Sequence, residues 1–443
     1  MKNAWIPVVF SFLLFSFSED KKNWKDKTED PEYVHRAIKL MTDVMVHDIY
    51  SPPVAARTYA YISIAGYEAA VNGYPNYQSL AGQLKGLKPL PPMQQAKEYS
   101  ATLSAVEAIL TVGKAMVVSE GKVAAFHDSL MKTFRASGMP DSVFRNSIEY
   151  GSLIATNILG WASGDNYKQT RTFPKYDVNN DASSWKPTPP AYIKAIEPHW
   201  NEIRPFLLDS AQQFKPEPIP AFSIEQTSEF YKNAIAVRDE GLQLTAEQKE
   251  IANFWDCNPF KVNLNGHVMF ASKKISPGGH WINIARLVCR KKSAGLMESL
   301  ETYARLSVAI ADAFISCWDE KYRSQLIRPE TYINQYIDGS WMPFLQTPPF
   351  PECTSGHSVI SMASSVIMEK IFGGQFSYDD STETEFGIPV RRFTSFRQAA
   401  DEAAISRFYG GIHYMPSIIT GASEGRKIGA YVAGKMKTTK TPR

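Results

Sequence analysis

Three short segments in the last third of the chain carry residues that could act on a charged substrate. Lys321 and Arg328 stand seven apart, directly after a long apolar-periodic stretch, and Pro329 follows. On a continuous helix, positions seven apart share a face, which would set two cations side by side. Pro329 disfavours helical geometry at Arg328, so the helix is expected to stop there and leave the guanidinium free to turn inward. Taken singly, a basic pair at this spacing is a common solvated face.

The second segment is Pro351-Glu-Cys-Thr-Ser355-Gly356-His357-Ser358, leading into a helical pattern closed by Gly373 and Gly374. Thr354 or Ser355 can cap that helix, and Gly356 lets the backbone approach an anion with no side chain in the way. Free N–H groups at such a start bind oxyanions. The third segment is Ser406-Arg407-Phe-Tyr-Gly-Gly-Ile-His413-Tyr414, with Pro416 beyond it. A break at Gly410-Gly411 would let Arg407, on the last helical turn, and His413, just past it, face one space. Gly-Gly breaks and buried histidines are each common, so the force lies in the combination. Three cations, an anion-binding helix start and two imidazoles suit one multiply charged tetrahedral oxyanion. Phosphate or vanadate carries about two to three negative charges, and a dry pocket needs about that many cations to offset their desolvation.

The pattern Lys, six residues, Arg-Pro, then Ser-Gly-His, then Ser-Arg, five residues, His resembles the signature of the superfamily that unites vanadium-dependent haloperoxidases with type 2 phosphatidic acid phosphatases and other acid phosphatases. It covers residues 321–413. The resemblance implies that Lys321, Arg328 and Arg407 neutralise the oxyanion and that Ser355 and the Gly356 N–H bond its oxygens. It further implies that His413 bonds the central atom, as the metal ligand for vanadium, and that His357 is the acid/base, with Lys321 beside it in the catalytic set. The implied cofactor is vanadate, and the implied partners are hydrogen peroxide, a halide and a small organic acceptor.

The same pocket could serve a periplasmic acid phosphatase acting on phosphomonoesters, with His413 attacking phosphorus, His357 protonating the leaving group and no cofactor. A non-catalytic oxyanion-binding protein is a third class. Trp318 and Phe350 fall where haloperoxidases place aromatics flanking the halide approach. The long N-terminal helical half and the segment 406–414 are similar to bacterial vanadium iodoperoxidases. Phe350, where some bromide-oxidising relatives have histidine, favours iodide, with bromide second. Two departures stand out: Thr354 replaces the usual Pro before Ser-Gly-His, and Ser417 replaces the usual Asp four residues after the last histidine. The first is expected to alter only the loop. The second removes a carboxylate that would orient His413, which harms phosphoryl transfer more than simple ligation.

The elements that must position these residues are helical. Apolar residues recur at helical spacing from about 32 to 165 and again over 224–238, 246–255 and 294–318. Between them, nine prolines from Pro174 to Pro220 deny residues 166–221 any long helix. Trp185, Tyr192 and Trp200 argue that this stretch is an ordered loop rather than a flexible linker. No sustained strand alternation occurs. The expected fold is all-α, two helical bundles: an N-terminal helical region with the Pro-rich loop at 19–222, and a C-terminal bundle at 223–443 that holds the oxyanion pocket. Asp256 is a candidate partner for Lys321, and His280 and Trp281 are candidates for the pocket rim. His47-Asp48 and His127-Asp128 read as exposed polar faces.

Composition sets outer limits. With 443 residues, 44% of them hydrophobic, core size is not limiting. A net charge of +3, with basic residues dispersed, makes nucleic acid a poor partner. Residues 1–18 join Lys2 to an apolar run and small residues, the layout of a cleaved secretory signal, which predicts a periplasmic or secreted protein with no membrane span in the mature chain. Cys257, Cys289, Cys317 and Cys353 match no disulfide framework or zinc motif and are expected as buried free thiols.

Overall fold

The computed structural model describes residues 23–265, 268–271 and 273–441, so the apolar leader lies outside the described residues. The first group of helices is α1 (Trp24–Thr28), α2 (Glu32–His47), α3 (Pro52–Val71), α4 (Ala101–Met116), α5 (Glu120–Ala136) and α6 (Asp141–Ala162), followed by the short α7 (Tyr167–Thr170). After the Pro-rich stretch come α8 (Glu229–Leu242), α9 (Ala246–Phe254) and a hairpin of β1 (Val262–Asn265) and β2 (Val268–Ala271). The rest comprises α10 (Pro277–Lys292), α11 (Leu296–Ser324), α12 (Pro329–Tyr336), α13 (Gly356–Phe372), a second hairpin of β3 (Tyr378–Asp380) and β4 (Arg391–Phe393), then α14 (Phe396–Tyr409) and α15 (Met415–Lys435). The chain is therefore mostly helical rather than all-α. Both antiparallel hairpins have strands of only three or four residues, too short for alternation to register in the sequence.

Helix α3 is buried on almost every side, as a helix apolar all round must be, and packs against α4, α6 and α11. Helix α11 packs on α3, α10, α13 and α15. One apolar cluster consequently runs from Tyr61, Ile109 and Ile154 through Leu300 and Ile310 to Val359 and Ile428. Along α15, Gly421, Gly425 and Gly429 let the helix lie directly on α13. A Cβ at Gly425 would stand 2.1 Å from the Val359 carbonyl oxygen.

The Pro-rich stretch is a connection anchored to the helices by buried contacts. Trp185 and Trp200 are buried although Tyr192 is exposed. Asp312 of α11 holds it by accepting the N–H groups of Phe206, Leu207 and Leu208 at 2.7, 2.8 and 3.1 Å. Two sequence expectations need correction. Helix α11 ends at Ser324, where Gln325 turns left-handed with φ 49°, so Lys321 and Arg328 do not share a helical face. Arg328 is extended, with ψ 152°, and precedes Pro329 at the first turn of α12. The Asp48 carboxylate is buried rather than exposed, bonded to the Val118 and Ser119 N–H groups, and His127 pairs with Glu107 at 2.7 Å. All four cysteines are buried and free, and no helix among the described residues is long and apolar enough to cross a membrane.

Candidate oxyanion pocket

The end of α11, the start of α13 and the end of α14 meet at one pocket. Its wall includes Phe314, Trp318 and Phe350 on the apolar side and Gly356, His357, Arg407 and His413 on the polar side. Trp318 and Phe350 touch, with ring centroids 5.0 Å apart. Lys321, Arg328 and Ser355 stand just behind that wall and are fully buried.

Lys321 reaches the site by an unexpected route. Its ammonium donates to the carbonyls of Pro351, Glu352 and Thr354 at 3.0, 3.1 and 2.6 Å, and it lies over the rings of Phe350 and Trp318. In that pose its three N–H bonds shape the loop that delivers Ser355 and Gly356. Arg328 donates through Nε to Phe350 O at 2.9 Å and through Nη1 to Ile412 O at 2.8 Å and His413 Nε2 at 3.1 Å. Arg407 donates through Nε to Ser406 Oγ at 2.9 Å and through Nη2 to Ala252 O at 3.3 Å. Ser355 caps α13 by accepting the Ser358 N–H. Helix starts leave their first N–H groups without intrahelical partners, and here those belong to Gly356 and His357, both at the pocket wall.

His413 is oriented by a carboxylate that sequence reasoning did not assign. Its Nδ1 lies 2.7 Å from Glu352 Oε1, which also accepts the Tyr414 N–H at 3.0 Å. A carboxylate partner puts the proton on Nδ1 and leaves the Nε2 lone pair toward Arg328 and the pocket. Ser417, in place of the usual Asp, therefore does not leave His413 without an acid. Glu352 lies in the same segment as Ser355 and His357. Its signal was a carboxylate in a stretch bound for a cation-rich interior. Thr354 also does more than alter the loop, because its hydroxyl donates to Glu424 of α15 at 2.8 Å.

The electrostatics demand an anion. Burial lowers Lys321 to about 8 and Arg328 to about 10, and lowers Arg407 as well. Burial and then Arg328 hold His413 far below the ordinary histidine range, and burial and then Arg407 do the same to His357. Both imidazoles are neutral. Burial lifts Glu352 to about 7 against the pull of Arg328 and Lys321. Three buried cations thus face less than their own charge in carboxylate, and a bound oxyanion would supply the difference. Two buried atoms await it: Arg328 Nη2 and His357 Nε2 have no hydrogen-bond partner. The orphaned guanidinium N–H and the unpartnered His357 nitrogen, beside His413 Nε2 and a helix start, fit a tetrahedral oxyanion bearing both bare and protonated oxygens.

Three subsidiary expectations fail. Asp256 pairs with Lys261 at 3.2 Å and Lys274 at 2.8 Å, not with Lys321. His280 and Trp281 are fully buried away from the rim, His280 against Asp380 and Trp281 donating to Ser361. The first-turn glycines of α10 leave no room for a Cβ, at Gly278 against Ile310 and at Gly279 against Ile275 and Tyr59, so the start of the helix lies close on its neighbours.

The family described as the VCPO second helical-bundle domain matches residues 301–441. The crystal structure of the first bacterial vanadium-dependent iodoperoxidase is 49% identical, with a TM-score of 0.87, covering 93% of this chain and 98% of that one. The holo structure of a bacterial vanadium-dependent chloroperoxidase has a TM-score of 0.66 at 15% identity, covering 88% of this chain and 94% of that one, which speaks for the fold alone. No curated protein gives a match.

Proposed function

The chain belongs to the vanadium haloperoxidase family, and from that premise we propose that it oxidises iodide with hydrogen peroxide, bromide being its second halide. It is a haloperoxidase whose cofactor is vanadate. The observation that carries the assignment to this pocket is the buried excess of positive charge beside two unpartnered polar atoms, the donor Arg328 Nη2 and the acceptor His357 Nε2.

In this reading His413 Nε2 would ligate vanadium, while Glu352 holds the Nδ1 proton and so keeps the other nitrogen available. Arg328 and Arg407 would bond oxygens of the bound oxyanion, with Ser355 and the Gly356 N–H completing the cradle. Lys321 contributes its charge from behind the wall and fixes the 351–354 loop. Bound vanadate supplies an electrophilic centre at which peroxide is activated toward halide. Neutral His357, its ring bonded to the Trp255 carbonyl, keeps Nε2 free to take a proton from incoming peroxide. Trp318 and Phe350 offer the halide a polarizable, poorly hydrated path, which favours iodide because it sheds water most easily.

The division into two bundles, 19–222 and 223–443 with the pocket in the second, is supported by the family match falling wholly within the latter. Export rests on residues 1–18 alone. A small organic acceptor fits the apolar pocket wall. One observation favours phosphomonoester hydrolysis as a second activity: Glu352 gives His413 the orienting carboxylate that a nucleophilic histidine needs.

Loading apoprotein with orthovanadate decides between them. Peroxide-dependent triiodide formation should rise from background to saturation at about one vanadate per chain. No gain, beside robust hydrolysis of a chromogenic phosphate, would refute the haloperoxidase reading.

A further inference from the structure

From Cys257 on the pocket wall inward lies a second cluster that the oxyanion chemistry does not use. Cys257, which follows α9, His280, on the first turn of α10, and Asp380 and Glu383, at and after the end of β3, converge with at most 2% exposure each. His280 Nδ1 stands 3.5 Å from Cys257 Sγ and 3.1 Å from Glu383 Oε1, and those two atoms are 4.0 Å apart. On the other side of the ring, His280 Nε2 is 2.8 Å from Asp380 Oδ2.

We propose that Cys257, His280 and Glu383 form a binding site for a divalent metal ion, zinc foremost, with Asp380 fixing the His280 ring from behind. Zinc binds thiolate sulfur at about 2.3 Å and imidazole nitrogen or carboxylate oxygen at about 2.0–2.2 Å, so a tetrahedral ion holds such atoms roughly 3.3–3.6 Å apart. The three observed separations bracket that range, so only small shifts are needed. Asp380 accepts from Nε2 and is itself steadied by the Thr382 N–H at 2.9 Å, which leaves the Nδ1 lone pair for the ion. A thiol in the set selects a borderline-soft cation over magnesium or calcium.

Charge points the same way. Among the described residues, neither Asp380 nor Glu383 forms an ion pair with a lysine or arginine; both pair with His280 alone. Binding would expel the Cys257 thiol proton and the proton held between His280 and Glu383, and would leave two carboxylates and a thiolate around a dication. The ion would tie three separate segments together. Trp255, two residues before Cys257, stacks on the His280 ring at 4.5 Å and gives its carbonyl to His357. The site would therefore act as a staple behind the acid/base histidine, sharing only Cys257 with the lining of the oxyanion pocket.

The test is elemental analysis of full-length protein expressed with zinc and never exposed to vanadate, followed by exchange for cobalt(II). About one zinc per chain is expected, with a near-ultraviolet thiolate-to-cobalt band after exchange; Cys257→Ser should abolish the band and His280→Gln should lose the metal. Should a variant fail to fold, the wild-type metal content and cobalt band decide. Substoichiometric zinc without that band would overturn the proposal and leave an imidazolium between two carboxylates. Stoichiometric zinc indifferent to both substitutions would overturn it equally, since the ion would then sit elsewhere. Because neither readout involves peroxide or halide, failure here leaves the haloperoxidase assignment untouched.

Discussion

Glu352 Oε1 lies 2.7 Å from His413 Nδ1, so the imidazole at the centre of the site is aimed by a carboxylate from the loop that Lys321 holds in place. Replacing Glu352 by Gln keeps the size but removes the charge and lets the amide donate toward Nδ1, favouring the wrong tautomer. Losing the partner that orients a ligating histidine costs about 10–100-fold in metal affinity. Vanadate titration of Glu352→Gln apoprotein, read as recovered iodide oxidation, should show a loss of that size; an unchanged midpoint would refute the positioning role.

The two pocket histidines should separate. His413→Ala removes the nitrogen proposed to hold vanadium and should abolish vanadate retention. His357→Ala leaves the cradle of Arg328, Arg407 and Ser355 in place, so vanadate affinity should change only a few-fold while turnover falls by about 10²–10⁴. Equilibrium dialysis with vanadate beside steady-state iodide oxidation measures both quantities. Equal losses of affinity in the two variants would contradict the assigned roles.

His35 gives the fold an acid-sensitive component. It is buried under Tyr303, 2.7 Å from the phenolic oxygen, and burial drives it down to about 4. Its folded value lies below the unfolded value of about 6.5, so the folded state binds fewer protons between them. The stability it contributes is complete above pH 6.5 and declines as pH falls through 4, by about 3 kcal/mol in total. Urea denaturation of His35→Gln across that range should give a shallower acid slope than wild type, and superimposable slopes would count against it.

At Gly425 an added methyl group would meet the Val359 backbone, 2.1 Å from its carbonyl oxygen. Neither helix can yield without separating α13 from α15, and α13 begins at the oxyanion cradle. Gly425→Ala should cost about 2–4 kcal/mol and weaken vanadate binding with it. Chemical denaturation and vanadate titration on the same preparation test the coupling; a wild-type midpoint in both would show that the helices are not so closely wedged.

The pocket was legible because its chemistry is carried by residue types at fixed spacings: Arg328 before a proline, Ser355-Gly356-His357 at a helix start, and Arg407 and His413 across a Gly-Gly break. What was not legible depends on contacts between distant segments. Lys321 and Arg328 converge although α11 ends at Ser324, because the loop at 350–354 accepts both their N–H groups. The role of Glu352 is hidden in the sequence because its partners, His413 and the Tyr414 N–H, lie some sixty residues further on, while Ser417 stands where the usual acid would be. The spacing of Gly421, Gly425 and Gly429 was visible but has meaning only once α13 lies against it. The hairpins were invisible for want of length.

Helix α11 is shared property. It packs on α3 from one side and on α13 and α15 from the other, so residues 301–441, excised and produced alone, would present a naked apolar flank where α3 used to be. The halves cannot be traded between relatives as interchangeable cassettes. A chimera that changed one partner of α11 without the other would pass the mismatch along the helix to Lys321, and the chemistry would register a substitution made far away in the opposite half of the chain.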